Sequence, residues 1–192
     1  MKLLVDRLLD SPALHRFEGS EEWWAELRPA IPEVEAGPLE PVCVELRAHR
    51  MGDDVYLEGE LSGALELGCG RCLARYRYPL QEPFRLVLEP AGARVPADPE
   101  AAEALFRRGL CLGDELETGW FRGSEIDLGA FFRELIALAL PVQPLCREEC
   151  RGLCPQCGVD RNVESCSCAQ AQSTSPFAVL RALQGDRKEG DG

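Results

Sequence analysis

Cysteine is the residue type in this sequence with the clearest capacity for chemistry, because eight of the ten cysteines are closely grouped. The eight form four pairs with one to three intervening residues: Cys69 and Cys72, Cys146 and Cys150, Cys154 and Cys157, and Cys166 and Cys168. Two thiolates at this spacing can chelate one tetrahedral ion without strain, and nearby Gly and Pro let backbone amides turn toward the sulfurs. The spacing therefore predicts that these cysteines are metal ligands, with zinc as the metal.

Disulfides and redox chemistry are the alternatives to metal binding. Structural disulfides need an oxidising compartment. The N-terminal stretch does not fit an export signal, because Asp6 and Arg7 interrupt its apolar residues and no small-residue cleavage site follows. A thioredoxin-like CxxC would stand between a strand and a helix, whereas Cys69–Cys72 lies between two predicted strands and no amphipathic pattern follows Cys154–Cys157. We therefore predict that the protein is cytoplasmic and that its grouped cysteines bind zinc. The alternative is a cytoplasmic thiol oxidoreductase that uses CxxC motifs.

Eight grouped thiolates are enough for two sites of four ligands each. A site with four protein ligands has no open coordination position, so its zinc would not activate water, and both ions are predicted to be structural. Cys43 and Cys111 stand apart and are predicted to be buried structural thiols. The sequence contains no Ser/His/Asp arrangement, no phosphate-binding glycine loop and no histidine-rich site. No catalytic residue is assigned, and the chain is predicted not to be an enzyme.

Residues 69–85 form a short basic segment, with four basic groups and one acidic group, in a chain whose net charge is -12. If the segment is extended, Arg71, Arg75 and Arg77 share one face. Guanidinium groups and tyrosine rings suit phosphate contact and base stacking, so these arginines are predicted to bind RNA or a partner together with Tyr76 and Tyr78. A solvated strand face on which the arginines pair with acidic neighbours is the alternative. The overall acidity fits either solubility or a basic partner such as a ribosomal protein.

The elements that must position these groups are those of an α+β fold. Apolar and polar residues alternate from Val42 to Leu88 around a turn at residues 51–54, which predicts an antiparallel sheet that could curl into a partial barrel. Apolar residues at helical spacing predict one long helix over residues 127–140, with Asp127 as its N-cap. A shorter helix is predicted after Ser20, with two tryptophans and a leucine on its apolar side.

The predicted organisation has three parts: an α+β core over residues 1–145, a cysteine-rich zinc-binding lobe over 146–184, and a disordered tail over 185–192. Within the core, residues 90–123 contain several prolines and are predicted to be a surface excursion. The lobe is predicted to end in a short C-terminal helix, because Ser175 and Pro176 suit its N-cap and first position. The longest apolar run is far too short to span a bilayer, so no membrane association is predicted.

Five strings of sequence together resemble one known family. They are C-x-R-C-L at 69–73, E-I-D-L at 125–128, L-A-L-P at 138–141, C-R-x-x-C-x-G-L-C-P-x-C-G at 146–158, and S-P-F-A-V-L at 175–180. In this order, over roughly residues 42–183, they resemble the YceD family of bacterial and plastid large ribosomal RNA subunit accumulation proteins.

The resemblance implies a function and a pairing of the cysteines. It implies a non-enzymatic factor in ribosome biogenesis that supports accumulation of large-subunit (23S) rRNA. Large-subunit rRNA or the pre-ribosome would be its partner, and a basic large-subunit ribosomal protein is a further candidate. By analogy with members that lack the later cysteines, Cys69 and Cys72 would share one ion with Cys146 and Cys150. The other four grouped cysteines would then hold the second ion.

Overall fold

A computed structural model describes residues 1–31, Val34, 37–113 and 117–168 of the chain. The strands in these residues are β1 Lys2–Leu4, β2 Ala13–Glu18, β3 Pro38–Met51, β4 Asp54–Gly68, β5 Arg75–Pro90, β6 Leu110–Leu112, β7 Thr118–Phe121 and β8 Glu125–Asp127. The α-helices are α1 Glu21–Leu27, α2 Pro99–Arg108 and α3 Gly129–Ala139. The chain divides into two compact units, of which the first is Met1–Cys150 and the second begins at Arg151.

The main sheet of the first unit has six strands in the order β2-β3-β4-β5-β7-β6. Strands β2 to β5 pair antiparallel, as the alternating pattern predicts for β3 to β5, whereas β7 joins β5 in parallel. A second, two-stranded sheet pairs β1 with β8. In the described residues the main sheet ends at β2 on one side and at β6 on the other. It is therefore mixed and does not close, and the prediction of a barrel-like curl is not confirmed.

The alternation of side chains explains the central strands. In β3, alternate residues from Val42 to Ala48 are fully buried, whereas Glu45 and Arg47 between them are exposed. The predicted turn is confirmed, since Met51 pairs with Asp54 at the end of the β3–β4 hairpin. Each long strand therefore presents one apolar face to the core and one polar face to solvent.

Helix α3 packs on the apolar face of the sheet, and the buried side chains of α1 belong to the same core. The predicted cap of α1 is confirmed, because Ser20 Oγ accepts a hydrogen bond of 3.2 Å from the Trp23 N–H. Trp23 Nε1–H donates to the Gly129 carbonyl at the start of α3, at 3.0 Å. Phe84 of β5 packs against two phenylalanine rings of α3, with ring centroids 5.5 and 5.3 Å apart.

Two helices were predicted within the described residues, a long one over 127–140 and a shorter one after Ser20, and these residues contain three α-helices, of seven, ten and eleven residues. Helix α3 begins at Gly129, two residues after the predicted N-cap, because Leu128 is the last residue before the regular turns. The Asp127 carboxylate nevertheless accepts from the Gly129 N–H at 2.9 Å and satisfies one free donor of the first turn. Among the described residues, none of the helices has the length and hydrophobicity that a membrane-spanning segment needs.

Residues 90–123 contain regular elements, which differs from the surface excursion expected there. They form α2, β6 and β7, and β7 pairs with the end of β5. Asp98 caps α2 by accepting from the Ala101 N–H at 2.8 Å, and Gly109 ends it with a φ of +68°. Strands of three and four residues are too short for alternation to be visible in a sequence, which is why the pattern did not indicate them.

The described part of the second unit, residues 151–168, consists of turns and a bridge between Leu153 and Asp160. Asn162 Oδ1 accepts from the Arg151 N–H at 2.8 Å, and the Arg161 N–H donates to the Gly152 carbonyl at 3.0 Å. The short helix predicted after Ser175 and the tail predicted over 185–192 lie outside the described residues.

Candidate metal centres

The first group of cysteines lies at the tip of the β4–β5 hairpin. Because β4 ends at Gly68 and β5 begins at Arg75, Cys69 and Cys72 occupy the connection between the strands, as predicted. The Leu73 N–H donates to the Cys69 carbonyl at 2.9 Å and closes a tight turn around the two cysteines. We call this turn the first knuckle, residues 69–73.

Two further cysteines come to this knuckle from the segment that follows α3. The Gly70 N–H donates to the Pro144 carbonyl at 2.8 Å and ties that segment to the hairpin tip. Cys150 Sγ then lies 3.7 Å from Cys69 Sγ, and Cys146 Sγ lies 3.7 Å from Cys72 Sγ. All four sulfurs are within 4.8 Å of one another.

These separations fit a tetrahedral metal ion. Four sulfurs at about 2.3 Å from a central ion have sulfur–sulfur edges of about 3.8 Å, whereas a disulfide would bring two sulfurs to about 2.05 Å. The structure contains all ten cysteines as free thiols. The first site therefore has the composition and spacing of a closed four-thiolate centre.

The second group repeats the arrangement in the second unit. Cys154, Cys157, Cys166 and Cys168 also have their sulfurs within 4.8 Å of one another. The Gly158 N–H donates to the Cys154 carbonyl at 2.9 Å, which is the same turn as in the first knuckle. We call residues 154–158 the second knuckle. The structure thus brings together the two sets of four cysteines that the family resemblance implied.

Backbone amides and burial set the electrostatics of the first site. Burial disfavours the thiolate of Cys69, but backbone N–H groups of Cys146, Cys72 and Arg71 point at its sulfur and lower its pKa to about 6. The pKa of Cys146 is raised to about 12, first by burial and then by contacts with the neighbouring thiols. Four adjacent thiols cannot all ionise without a cation because like charges repel. A divalent cation among them would displace the remaining protons.

The second site shows the same contrast. Backbone N–H groups of Cys157 and Gln156 lower the pKa of Cys154 to about 6. The pKa of Cys168 is raised to about 12, first by its contact with the Cys157 thiol and then by burial. In each site one sulfur is prepared to be a thiolate by fixed amide dipoles, which is the form that binds a metal.

Arg71 belongs to the first site rather than to a strand face. It lies in the turn before β5, so it is not aligned with Arg75 and Arg77 as the extended segment would require. Its guanidinium donates to the Cys150 carbonyl at 3.0 Å and, at 3.4 Å, to the Glu148 carbonyl. The side chain therefore links the knuckle to the segment that supplies the other two sulfurs, a contact that the sequence reasoning missed.

Arg75 and Arg77, the two predicted binding arginines that lie on β5, pair with acidic neighbours. Arg75 Nη1 lies 2.8 Å from Glu66 Oε2, and Arg77 Nη2 lies 2.7 Å from Glu40 Oε1. These are the contacts expected for a solvated strand face. A role of the arginines in binding RNA or a partner stays a prediction.

The two predicted tyrosines lie on the opposite side of β5, partly buried against the core. The Tyr78 hydroxyl donates to the Ala139 carbonyl at the end of α3, at 2.8 Å. Burial raises the pKa of Tyr76, and the neighbouring Cys69 raises it further. Both rings therefore face the core instead of the arginine face, and Tyr76 also lies near the first site.

The two isolated cysteines differ from each other. Cys111 is buried, as expected, and burial raises the pKa of its thiol. Cys43 is only half-buried, because it lies on the outer face of β3 opposite Ser62. Neither belongs to the two groups of four.

Comparison with known proteins gives a consistent set of relatives. A family model described as large ribosomal RNA subunit accumulation protein YceD matches residues 57–184. The chloroplastic large ribosomal RNA subunit accumulation protein YCED homolog 1 of Arabidopsis thaliana is 22% identical over 171 residues, 79% of this chain and 51% of that protein. The corresponding protein of Zea mays is 26% identical over 160 residues, 74% of this chain and 54% of that protein.

A bacterial protein is also similar to this chain. An uncharacterized protein of Mycobacterium tuberculosis is 30% identical over 116 residues, 60% of this chain and 49% of that protein. The chain spans about half the length of the curated relatives it matches. No solved structure matches it.

Proposed function

The chain belongs to the YceD family, and on that premise we propose that it supports accumulation of large-subunit (23S) rRNA as a non-enzymatic ribosome-assembly factor. The observation that carries the proposal is the family match over residues 57–184, which contain both groups of four cysteines. The two plant relatives have the same function in their names. Thiolates kept free for metal need a reducing compartment, so we place the protein in the cytoplasm.

Two structural zinc ions are part of the proposal. An all-thiolate tetrahedral set suits zinc and also iron, and zinc is preferred because the sites are closed and need no redox change. The sulfur separations of 3.7 Å in the first site support a tetrahedral four-thiolate metal site. Elemental analysis of protein purified without chelator should give about two zinc ions per chain. Iron with visible absorption, or no metal, would contradict it.

The competing function is a thiol oxidoreductase. The first CxxC lies in a hairpin connection and the second in a turn-built unit, and neither precedes a helix in the described residues. Thiol titration separates the two functions. A structural protein should hide its eight grouped thiols until a chelator is added, whereas a redox enzyme would present a fast-reacting, low-pKa thiol.

The ion pairs of Arg75 and Arg77 on β5 affect how well the chain can bind RNA directly. A phosphate that binds Arg75 or Arg77 must displace the carboxylate paired with that arginine, which weakens the gain from each contact. We nevertheless retain both arginines as candidate RNA contacts, because the basic segment contains them. Changing both to Ala should weaken binding to large-subunit rRNA and lower the salt slope by about one per lost phosphate contact. Unchanged affinity and slope would favour a protein partner.

The cellular role can be tested by depletion. In depleted cells the ratio of large-subunit to small-subunit rRNA should fall, and wild-type protein should restore it. Variants with Ser at Cys69 or Cys154 test whether the metal sites are required for the rescue. An unchanged rRNA ratio on depletion would refute the proposed function.

A further inference from the structure

The two metal sites differ in how far solvent reaches their sulfurs. In the first site three cysteines are buried and Cys146 is half-buried. In the second site only Cys154 is buried. Cys166 and Cys168 are half-buried there, and Cys157 is the only exposed cysteine of the ten, all of which lie among the described residues. A small molecule can therefore reach one sulfur of the second site while the metal is bound.

The equivalent position of the first knuckle shows what keeps solvent away from a sulfur. Cys72 is the second cysteine of its CxxC, as Cys157 is of the other, but Cys72 is only 7% exposed. Hydrogen bonds from Gly70 and Arg71 hold the segment after α3 against the first knuckle. Cys157 instead has exposed residues on both sides, and a Cβ at Gly158 would meet no atom of the described residues within 4 Å. The same turn is therefore covered at the first site and open at the second.

The described part of the second unit has little besides its metal site to keep it folded. Residues 151–168 contain one bridge and no helix or longer strand. Cys154 is their only buried apolar side chain, and none of them belongs to the large hydrophobic core of the first unit. Where a metal site is absent from the unfolded chain, the free energy of metal binding is free energy of folding. Loss of the second ion should therefore unfold residues 151–168.

We propose that Cys157 is an oxidation site, and that its oxidation to a disulfide with Cys168 releases the second metal ion and unfolds residues 151–168. The proposal rests on the proposed function only for the metal at the second site. The four sulfurs of that site lie within 4.8 Å of one another, so a second thiolate is within reach of Cys157. The Cys168 thiol contacts the Cys157 thiol, which makes it the partner in the disulfide. The second unit is then a redox-sensitive switch beside a first unit that stays folded.

The oxidant is a hydroperoxide, with hydrogen peroxide as the simplest case. The Cys157 thiolate attacks one peroxide oxygen, so that an S–O bond forms, the O–O bond breaks and hydroxide leaves. The Cys168 thiolate then attacks the oxidised sulfur, so that an S–S bond forms and a second hydroxide leaves. The two sulfurs lose two electrons, the peroxide gains them, and two protons from solvent convert both hydroxides to water. Cys154 and Cys166 remain as two ligands where the closed site had four, so the ion leaves and both take up protons.

The test treats the metal-loaded full chain with hydrogen peroxide in the presence of a chromogenic zinc chelator, with the chelator alone as the blank. One of the two ions should be released well before the other. At that stage alkylation and mass spectrometry should find a disulfide between Cys157 and Cys168 and reduced thiols at Cys69 and Cys72. Hydrogen exchange should show lost protection in residues 151–168, whereas the circular dichroism of the sheet should not change. A dithiol reductant together with zinc should restore the protection.

Two variants separate the Cys157 sulfur from a general weakness of the second site. Imidazole binds zinc but cannot form a disulfide, so peroxide should release the second ion from Cys157→His no faster than the first ion. Cys43→Ser is the matched control, because Cys43 is a half-buried thiol outside both groups of four. This variant should lose its second ion as the wild type does. If Cys157→His does not load with metal, the disulfide found in the wild type decides.

The outcomes separate the inference from the proposed function. Release of both ions at the same rate, retention of both ions in peroxide, or a first disulfide that does not join Cys157 to Cys168 would each overturn the inference. The proposed function would stand in all three cases. Protein purified without metal would overturn the inference and the metal assignment together, and the depletion experiment then tests the role in rRNA accumulation by itself.

Discussion

Substitution of Arg71 by Ala should weaken metal binding at the first site and leave the second site intact. The side chain holds the knuckle to the segment with Cys146 and Cys150 through one good hydrogen bond, 3.0 Å to the Cys150 carbonyl. The contact with Glu148 at 3.4 Å is too long to add much. A hydrogen bond from a charged donor contributes about 1.5–3 kcal/mol. Because Arg71 is exposed, we take the contribution of this hydrogen bond as about 1–2 kcal/mol. Its loss corresponds to about a 5- to 30-fold lower affinity of the first site for its metal ion.

The assay is competition with a chromogenic zinc chelator, followed over time and at equilibrium. The wild-type protein should release two ions. In Arg71→Ala the ion that binds more weakly should be the one at the first site. Its release should expose the thiols of Cys69 and Cys72 to alkylation, which mass spectrometry detects. Arg77→Ala is the matched control, since Arg77 lies on β5, the strand that follows the first knuckle, and pairs with Glu40. It should release both ions as the wild type does.

Two results would refute the reasoning about Arg71. Equal metal affinity in Arg71→Ala and the wild type would mean that the hydrogen bond to Cys150 does not support the site. Equal weakening of both sites would mean that the substitution acts on the whole fold. Lost rRNA binding with unchanged metal affinity would instead restore Arg71 to the predicted RNA surface.

Three further expectations concern the metal and the fold. Chelation should disorder residues 151–168 while the sheet persists. The reason is that a structural zinc contributes about 10–16 kcal/mol of apparent binding free energy, and this stretch is built of turns. Hydrogen exchange reports the order of residues 151–168, and circular dichroism reports the sheet. Gly59→Ala should lower the free energy of unfolding by about 3 kcal/mol, since its Cβ would lie 2.1 Å from the Glu45 carbonyl oxygen, and urea denaturation measures the change. Tyr78→Phe should cost about 0.5–1.5 kcal/mol through the lost hydrogen bond to Ala139; a loss above 3 kcal/mol would indicate a larger role for the hydroxyl.

Features whose causes are local could be predicted from the amino-acid sequence alone. The spacing of each cysteine pair, the alternation in β3, the cap of α1 at Ser20 and the apolar stripe of α3 all depend on residues within a few positions of one another. The CxxC between β4 and β5 could be placed for the same reason, since the period-two pattern stops and resumes around it. Such signals are visible without knowledge of any distant contact.

Features that depend on distant residues became visible only in the folded chain. The approach of Cys150 to Cys69, the parallel pairing of β7 with β5 and the ion pair of Arg77 with Glu40 each join residues that are far apart in the sequence. Arg71 is the clearest example of a residue whose contacts could not be predicted from the sequence. Its place in a basic segment indicated a surface with its neighbours on β5, but the turn that carries it directs the guanidinium to the Cys150 carbonyl. A charged side chain has many partners of similar energy available in water, so the backbone that brings one carbonyl within 3.0 Å decides its role.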